Sequence, residues 1–338
     1  MKKNTKKLII SAGILGVGFS AIASASYLLT NMLVKVALER DGIDKIKQTP
    51  KTRRIITGFE EDKGFMDART SSAKNLSQKE MESVGITCFD GTKLIGHIYP
   101  CENAKRIIIA MHGWRSSYGE DFGMMADFFN QNQCTVLYVE QRGQGQSGGD
   151  YMGFGLIERF DCLDWVRYAN ERFKLPIYLA GVSMGAATVL MASDLEMPET
   201  VKGIIADCGF TSPHAIWKHV ANNNMKLAYG IIGKIADDMC KRKIQIGTKD
   251  YSAIDSLKST KIPVLFIHGT DDHFVPITMT YENYKACSSP KKLLVVPGAD
   301  HAMSFYIAPD EYKKAVISFW NEFDEYVYVE NEKTNTKK

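Results

Sequence analysis

The chain has 338 residues, of which 45 % are apolar and 24 % are charged. These proportions are typical of a folded globular protein and exclude a mostly disordered, collagen-like or multi-span membrane chain. The net charge of +3 combines two unlike parts. Residues 1–54 hold eleven Lys and Arg against three acids, whereas the remainder holds 31 against 36. Because the body of the chain is mildly acidic, its composition disfavours nucleic-acid binding.

The first feature along the chain is an uncharged stretch of 27 residues from Leu8 to Val34, which follows four lysines. A helix of that length measures about 40 Å and can cross about 30 Å of hydrocarbon. We therefore predict a short N-terminal tail and a membrane anchor over residues 1–34, with the span at residues 8–34. A cleaved signal peptide, with an A-x-A site that ends at Ala23 or Ala25, is the alternative.

The orientation of the predicted anchor depends on the charges that flank it. Basic residues lie on both sides of the apolar stretch, so the positive-inside rule gives no clear answer. A short tail before a first span usually stays in the cytoplasm, which favours a cell-membrane protein with an extracytoplasmic body. The seven cysteines include no C-x-x-C pair and predict free thiols, which favours the opposite side.

The rest of the chain divides into segments by its composition and by its alternation of strand and helix patterns. Residues 35–82 are polar and predict a basic flank and connector with some helix, and residues 331–338 predict a frayed tail. Residues 83–330 alternate between apolar, strand-like runs and helical spacing, after a hairpin signal at Asp90-Gly91. The predicted strands are Ile86–Phe89, Leu94–Tyr99, Arg106–Met111, Thr135–Glu140, Ile177–Gly181, Val201–Ala206, Ile262–His268 and Leu293–Val296. The predicted helices lie near Asp121–Asn130, Phe154–Phe173, Met184–Ala192, Ile277–Ala286 and Glu311–Val327.

This alternation predicts an α/β fold in one domain. Its sheet is mostly parallel with an antiparallel start, and helices cover both faces. Only the interval over about residues 210–260 breaks the rhythm, with helical patterns at His214–Val220 and Met225–Met239. We interpret it as a small helical insertion above the sheet, before the strand that ends at His268.

The strongest chemical signal is the G-x-S-x-G sequence at Gly181–Gly185. An apolar strand precedes it and a small-residue helix follows, which is the strand-turn-helix setting of a nucleophilic serine. Ser183 is therefore the predicted nucleophile, and the amide of Met184 at the helix N-terminus is aimed at a developing oxyanion. A second oxyanion donor is expected in the loop after the third strand, where the amide of Trp114 is the candidate. His112 in that loop is interpreted as a structural residue.

The base and the acid are expected later in the chain, each after a strand. His301 follows the last strand and is the predicted base. Asp272 follows the preceding strand and is the preferred acid, with Asp271 beside it as a competitor. Asp207 is a further candidate for the acid.

These features resemble the α/β-hydrolases, and most of all the bacterial serine-aminopeptidase-like (S33) and esterase group, over about Val84 to Val327. Such a resemblance implies an eight-stranded sheet and acyl transfer to water, and many of these bacterial proteins carry an N-terminal anchor. Gln144 stands where the group commonly has histidine. The matching sequences are His112-Gly113-Trp114, Arg142–Ser147, Gly181–Gly185, His268–Pro276 and His301.

We therefore predict a serine hydrolase that cleaves carboxylic ester or thioester bonds through an acyl-enzyme. Trp217 and Met225 of the insertion are candidates for the substrate pocket, or else ordinary core residues. The alternatives are a serine peptidase that acts on small peptides and a non-catalytic binding protein on the same fold. No cofactor or metal is predicted. Gly143–Gly148 spells G-x-G-x-x-G, but in a loop that does not open a helix, and the sequence has no H-E-x-x-H, cysteine cluster or P-loop.

Overall fold

The computed structural model describes residues 24–42, 49–58 and 62–325. Its centre is one eight-stranded sheet with the order β1-β2-β4-β3-β5-β6-β7-β8. β1 and β4 each pair antiparallel with β2, and all the other pairings are parallel. The predicted fold class is confirmed. The strands are β1 (Glu82–Thr87), β2 (Lys93–Tyr99), β3 (Arg106–Met111), β4 (Cys134–Val139), β5 (Ile177–Val182), β6 (Val201–Asp207), β7 (Val264–Gly269) and β8 (Lys291–Val296).

Helices cover both faces of this sheet. All six residues of β3 are buried, as expected for a parallel strand with packed layers on either side. Ile107 and Ile109 belong to one apolar layer and Ile108 to the other. The helices are α1 (residues 24–38), α2 (Pro50–Thr57), α3 (Lys63–Ser77), α4 (Tyr118–Phe122), α5 (Ala126–Gln131), α6 (Glu158–Phe173), α7 (Met184–Met191), α8 (Pro213–His219), α9 (Tyr229–Ile244), α10 (Ala253–Leu257), α11 (Ile277–Ala286), α12 (Ser304–Ile307) and α13 (Pro309–Phe323).

The strand order reverses beside β3, which has β4 on one side and β5 on the other. The loops that leave the carboxyl ends of the parallel strands meet at one edge of the sheet. In open α/β sheets, ligands bind in the crevice at such a reversal. The topology therefore places the loops after β3 and β5 where a site is expected.

Two predicted helices differ in their bounds. The helix expected over Asp121–Asn130 is divided into α4, a 3-10 turn at Gly123–Met125 and α5. The helix expected from Phe154 begins only at Glu158, because Phe154 and Gly155 have φ values of 54° and 92°. A left-handed backbone at these positions cannot continue a right-handed helix.

The interval between β6 and β7 is helical, with α8, a π-helical turn at Val220–Asn224, α9 and α10. The hydroxyl of Ser212 accepts the Ala215 N–H at 3.1 Å, and Pro213 lies in the first turn, so α8 begins with two favourable signals. We call α8, the π-helical turn and α9 the cap.

The helix α1 contains the last eleven residues of the predicted membrane span. Its Val34 and Leu38 belong to the main apolar core, with exposed fractions of 2 % and 0 %. Residues 8–23 lie outside the described residues, so the anchor stays a prediction. Within residues 24–42, 49–58 and 62–325, no helix is both long and apolar enough to cross a bilayer.

Candidate active site

Ser183 lies at the sharp turn between β5 and α7. Its backbone has φ 55° and ψ −114°, a conformation that costs a non-glycine residue about 1–3 kcal/mol. The flanking glycines are required because neighbouring backbone atoms lie too close to admit a Cβ atom. A Cβ on Gly181 would lie 2.4 Å from the carbonyl carbon of Gly185, and a Cβ on Gly185 would lie 1.8 Å from the Met111 oxygen. This turn presents the serine hydroxyl at the carboxyl edge of the sheet.

His301 follows β8 and reaches the serine from the side. Its Nε2 atom lies 2.9 Å from Ser183 Oγ, so the hydroxyl can donate to it. Its Nδ1 atom lies 2.8 Å from Asp272 Oδ2, which fixes the ring in the tautomer that leaves Nε2 free to accept. The Phe274 ring packs perpendicular to the imidazole, with centroids 5.0 Å apart.

Asp272 is buried in the turn after β7. One carboxylate oxygen accepts the backbone N–H groups of Phe274 and Val275 at 2.9 and 2.7 Å. The other lies near His301 and also 3.1 Å from Nε2 of the buried His268. Burial opposes ionisation of the carboxyl group, but the two histidines outweigh it and hold the pKa of Asp272 well below its usual range.

The other candidate acids have different partners. Asp207 is buried and accepts the Ser304 hydroxyl at 3.1 Å. Its burial raises its pKa to about 6. Asp271 is exposed and accepts the Thr270 hydroxyl, and Asp300 accepts the backbone N–H groups of His273 and His301. The structure thus brings Asp272, of these four acids, to Nδ1 of the imidazole.

The carboxylate beside His301 changes the proton affinity of the imidazole. Burial lowers the pKa of His301, but the adjacent Asp272 carboxylate outweighs burial and raises the pKa well above its ordinary value of 6.5. An ion pair of this kind stabilises the imidazolium that forms when the ring takes a proton from a nucleophile.

The loop after β3, residues 112–117, lies against the serine, and we call it the β3 loop. A Cβ on Gly113 would lie 3.3 Å from Ser183 Cβ. The buried His112 lies within the loop and accepts the Gln141 N–H at 3.2 Å, in keeping with a structural residue. Trp114 and Ser183 line the same cavity. Met184 is buried at the start of α7, directly after Ser183.

A thiol also lies at the site. Cys208 Sγ and the ligand atoms of Asp272 and His301 all lie within 4.8 Å of one another. Burial raises the pKa of Cys208 to about 11, and a protonated thiol is a poor metal ligand. The carboxylate and the imidazole are also hydrogen-bonded to each other, an arrangement that suits proton transfer.

Two neighbouring cavities share part of their walls, and Ser183 lines one of them. The first, which we call the vestibule, has a volume of about 420 Å³ and is partly polar, with Ser183, His301, Arg69 and Glu120 in its wall. The second, which we call the chamber, has a volume of about 110 Å³ and an almost wholly apolar wall. The two cavities share the lining residues Ile56, Trp114 and Phe274.

The chamber is lined mainly by the cap and by α1. Trp217 and Met225, the two predicted pocket residues, both line it. They lie on α8 and directly after the π-helical turn, whereas Thr30, Leu33 and Val34 reach the chamber from α1. The wall therefore combines segments that are nearly 200 residues apart in the sequence.

Three polar residues of the site were missed by the sequence analysis. The carboxylate of Asp121 accepts the Gly113 N–H at 2.6 Å and binds the Arg69 guanidinium at 2.9 Å. Arg69 lies on α3, inside the predicted connector, and no motif marks it. The buried His268 is preceded by an apolar strand and stands four residues before Asp272, a spacing that could have indicated its contact with that acid.

The chain is similar in sequence to known proteins. A family model described as serine aminopeptidase, S33, matches residues 102–250. The protein YqkD of Bacillus subtilis is 28 % identical over 227 residues, which cover 66 % of this chain and 73 % of the relative. YfhR of Escherichia coli K12 is 25 % identical over 246 residues, which cover 70 % and 80 % of the two chains.

Solved structures resemble the whole body of the chain. An esterase of Pyrococcus furiosus superposes with a TM-score of 0.61 and 23 % identity, covering 74 % of this chain and 93 % of that one. Est1E from Butyrivibrio proteoclasticus, with ferulic acid bound, gives a TM-score of 0.55 and 21 % identity, with 71 % and 98 % covered. Together with the sheet order, these similarities show that the chain has the α/β-hydrolase fold.

Proposed function

We propose that this chain is a serine hydrolase that cleaves carboxylic ester or thioester bonds through an acyl-enzyme. The observation that carries the proposal is the unbroken chain of hydrogen bonds from Ser183 through His301 to Asp272, at 2.9 and 2.8 Å. The three side chains come from the loops after β5, β7 and β8, in the chain order of α/β-hydrolase triads.

In the proposed first step, Ser183 Oγ attacks the carbonyl carbon while its proton passes to His301 Nε2. The negative charge that develops on the carbonyl oxygen is held by the backbone N–H groups of Trp114 and Met184. The imidazolium then donates its proton to the leaving alcohol or thiol as the carbon–oxygen or carbon–sulfur bond breaks.

In the second step, water replaces the leaving group. His301 takes a proton from the water molecule, whose oxygen attacks the acyl carbon, and the free acid leaves as the proton returns to Ser183. Asp272 accepts the Nδ1–H bond throughout and stabilises the imidazolium in both steps. The vestibule provides a route for water and for the leaving group.

A fluorophosphonate probe tests the nucleophile. We expect labelling of the wild type, none of Ser183→Ala, and wild-type labelling of Ser77→Ala, which removes an exposed hydroxyl that bonds only locally to the Lys74 carbonyl. An unlabelled wild type, or equal labelling of Ser183→Ala, would overturn the proposal and favour a non-catalytic binding protein.

A serine peptidase is the second candidate, and the Glu120 carboxylate in the vestibule wall favours it. A carboxylate near the scissile bond could bind the ammonium group of a peptide N-terminus. However, Glu120 lies 3.7 Å from the Arg69 guanidinium, which offsets its charge. p-Nitrophenyl esters and aminoacyl p-nitroanilides separate the two activities: turnover of the esters supports an esterase, and turnover of the anilides alone supports a peptidase.

A further inference from the structure

The last turns of α1 are bound directly to the β3 loop. The indole N–H of Trp114 donates to the Ala37 carbonyl at 2.9 Å. The Arg115 guanidinium donates to the carbonyls of Val36 and Arg40, at 2.7 and 3.0 Å. The terminal carbonyls of a helix need partners from outside it, and a cation is favoured at that negative end. These bonds therefore satisfy the terminal carbonyls of α1 and also fix the position of the β3 loop.

The β3 loop needs such support, because Arg115 has φ 51°. A non-glycine residue keeps a left-handed backbone only where its surroundings impose it. The side chains of Trp114 and Arg115 are the groups that hold this part of the loop to α1. The backbone N–H of Trp114 is the proposed oxyanion donor, so its position depends on the same contacts.

The C-terminal end of α1 is itself fixed from two other directions. The Leu38 carbonyl accepts the Met152 N–H at 2.7 Å, and the Arg40 N–H donates to the Asp150 carbonyl at 2.9 Å. The Glu39 carboxylate lies 2.8 Å from Lys243 Nζ, at the end of α9. The helix is thus bound to the loop after β4 and to the cap as well as to the β3 loop.

One face of α1 also forms the chamber wall. Thr30, Leu33, Val34 and Ala37 line the chamber, at the spacing of a single helical face. The Thr30 hydroxyl donates to the Ser26 carbonyl at 2.7 Å, so it is satisfied within the helix. On another face, Leu28 is 66 % exposed. The helix therefore has a distinct inner side.

We propose that α1 is a working part of the active site, in which its inner face bounds the acyl group and its last carbonyls position the β3 loop. This inference rests on the proposed function, because it assigns the chamber to the acyl half of the substrate. An apolar cavity of about 150 Å³ accepts benzene. The chamber, at about 110 Å³, therefore suits an acyl chain of about four to six carbons.

The same geometry assigns the other half of the substrate. The partly polar vestibule carries Arg69 and Glu120 and is the larger space. It suits a polar alcohol or thiol better than a second hydrocarbon chain. The substrate class is thus an ester of a short fatty acid with a polar leaving group.

The wall is tested with Leu33→Trp, matched by Leu28→Trp on the exposed side of the same helix. In Leu33→Trp, we expect kcat/KM for p-nitrophenyl hexanoate to fall by at least about tenfold, and that for the acetate to stay within about twofold. Leu28→Trp should leave both values unchanged. If Leu33→Trp affected both esters equally, or neither of them, the proposal that α1 bounds the acyl group would be wrong.

The support of the β3 loop is tested with Arg115→Gln, matched by Arg172→Gln, whose surface guanidinium bonds Glu82 instead. We expect kcat on the acetate to fall about tenfold to a hundredfold in Arg115→Gln, with little change in KM. Misplaced oxyanion donors reduce the stabilisation of the transition state and leave substrate binding unchanged. Arg172→Gln should match the wild type.

A gentler variant covers the case in which Arg115→Gln does not fold. Trp114→Phe keeps an aromatic ring but removes the N–H group that binds Ala37, and it should lower kcat about threefold to tenfold. An unchanged kcat in Trp114→Phe and in folded Arg115→Gln would overturn the inference. Failure of the proposed function is seen separately, as a wild type that neither turns over esters nor labels at Ser183.

Discussion

The site is built from two regions that are held together in different ways. We call the loops at the carboxyl edge of the sheet the floor, and α1, α2, α3 and the cap the roof. In the floor, Ser183, Asp272 and His301 each follow a strand closely and are fixed by short hydrogen bonds. In the roof, helices that lie far apart in the sequence meet through apolar contacts and the ion pair between Glu39 and Lys243. The difference assigns reactivity to the floor and selectivity to the roof.

The largest expected effect lies in the floor. Asp272→Asn should lower kcat about 10⁴-fold for every ester, because an amide at this position stabilises the wrong imidazole tautomer. Asp207→Asn is the matched control, since that carboxyl group is equally buried but bonds Ser304. We expect a loss of less than about tenfold from it. Steady-state kinetics would contradict the assignment if the two variants were equally impaired.

The second prediction concerns the contact between floor and roof. Asp121→Asn removes an acceptor from the Gly113 N–H or from Arg69, and should lower kcat about tenfold to a hundredfold through the β3 loop. Asp127→Asn, which alters an exposed carboxylate bonded to Lys79, should have no effect. If Asp121→Asn changed the preference for acyl chain length and left kcat unaltered, the assignment of reactivity to the floor would be wrong.

The third prediction concerns pH. The base must be neutral to accept the serine proton, and Asp272 raises the pKa of His301. Activity should therefore fall as the pH is lowered through a midpoint above 6.5, with about a tenfold loss per unit below it. Residual activity of Asp272→Asn should show a lower midpoint. A midpoint below 6.5 in the wild-type kcat/KM profile would contradict this ion pair.

The smallest expected effect lies in the roof. Trp217→Ala enlarges the chamber, and we expect the ratio of kcat/KM for octanoate over butyrate esters to rise about threefold to tenfold. Ile231→Ala on α9 is the control, because its side chain is 70 % exposed. An equal change in both esters would place Trp217 among the residues that affect rate.

The two regions also differ in how far they could be predicted. The proposed triad could be selected from the sequence because a nucleophile, an acid and a base after successive strands carry a local signal. From the sequence Asp272 is preferred over Asp271, but the geometry of one turn decides between them. Which of them accepts the Nδ1–H bond is seen only in the structure, where Asp272 is buried and Asp271 exposed.

The sequence of the roof contains far fewer motifs from which its structure could be predicted. The apolar residues 24–34 predict a helix that is buried. Their hydropathy does not distinguish burial in lipid from burial against the rest of the protein. Arg69 lies in a polar segment without a motif, and its place in the vestibule wall follows from how α3 packs. Trp217 and Met225 could be proposed because the insertion lies above a predicted site, but α1 as their neighbour requires long-range contacts.

The bond between Glu39 and Lys243 joins residues that are 204 positions apart. A ribosome that adds about 5–20 residues per second needs about 10–40 s to make that interval. During this time the inner face of α1 lacks the partners from the cap that cover it in the finished protein. The proposed site is complete only after β8 and His301 have followed, so the proposed hydrolytic activity would report on the end of folding and would provide a sensitive assay for chains that have stalled before it.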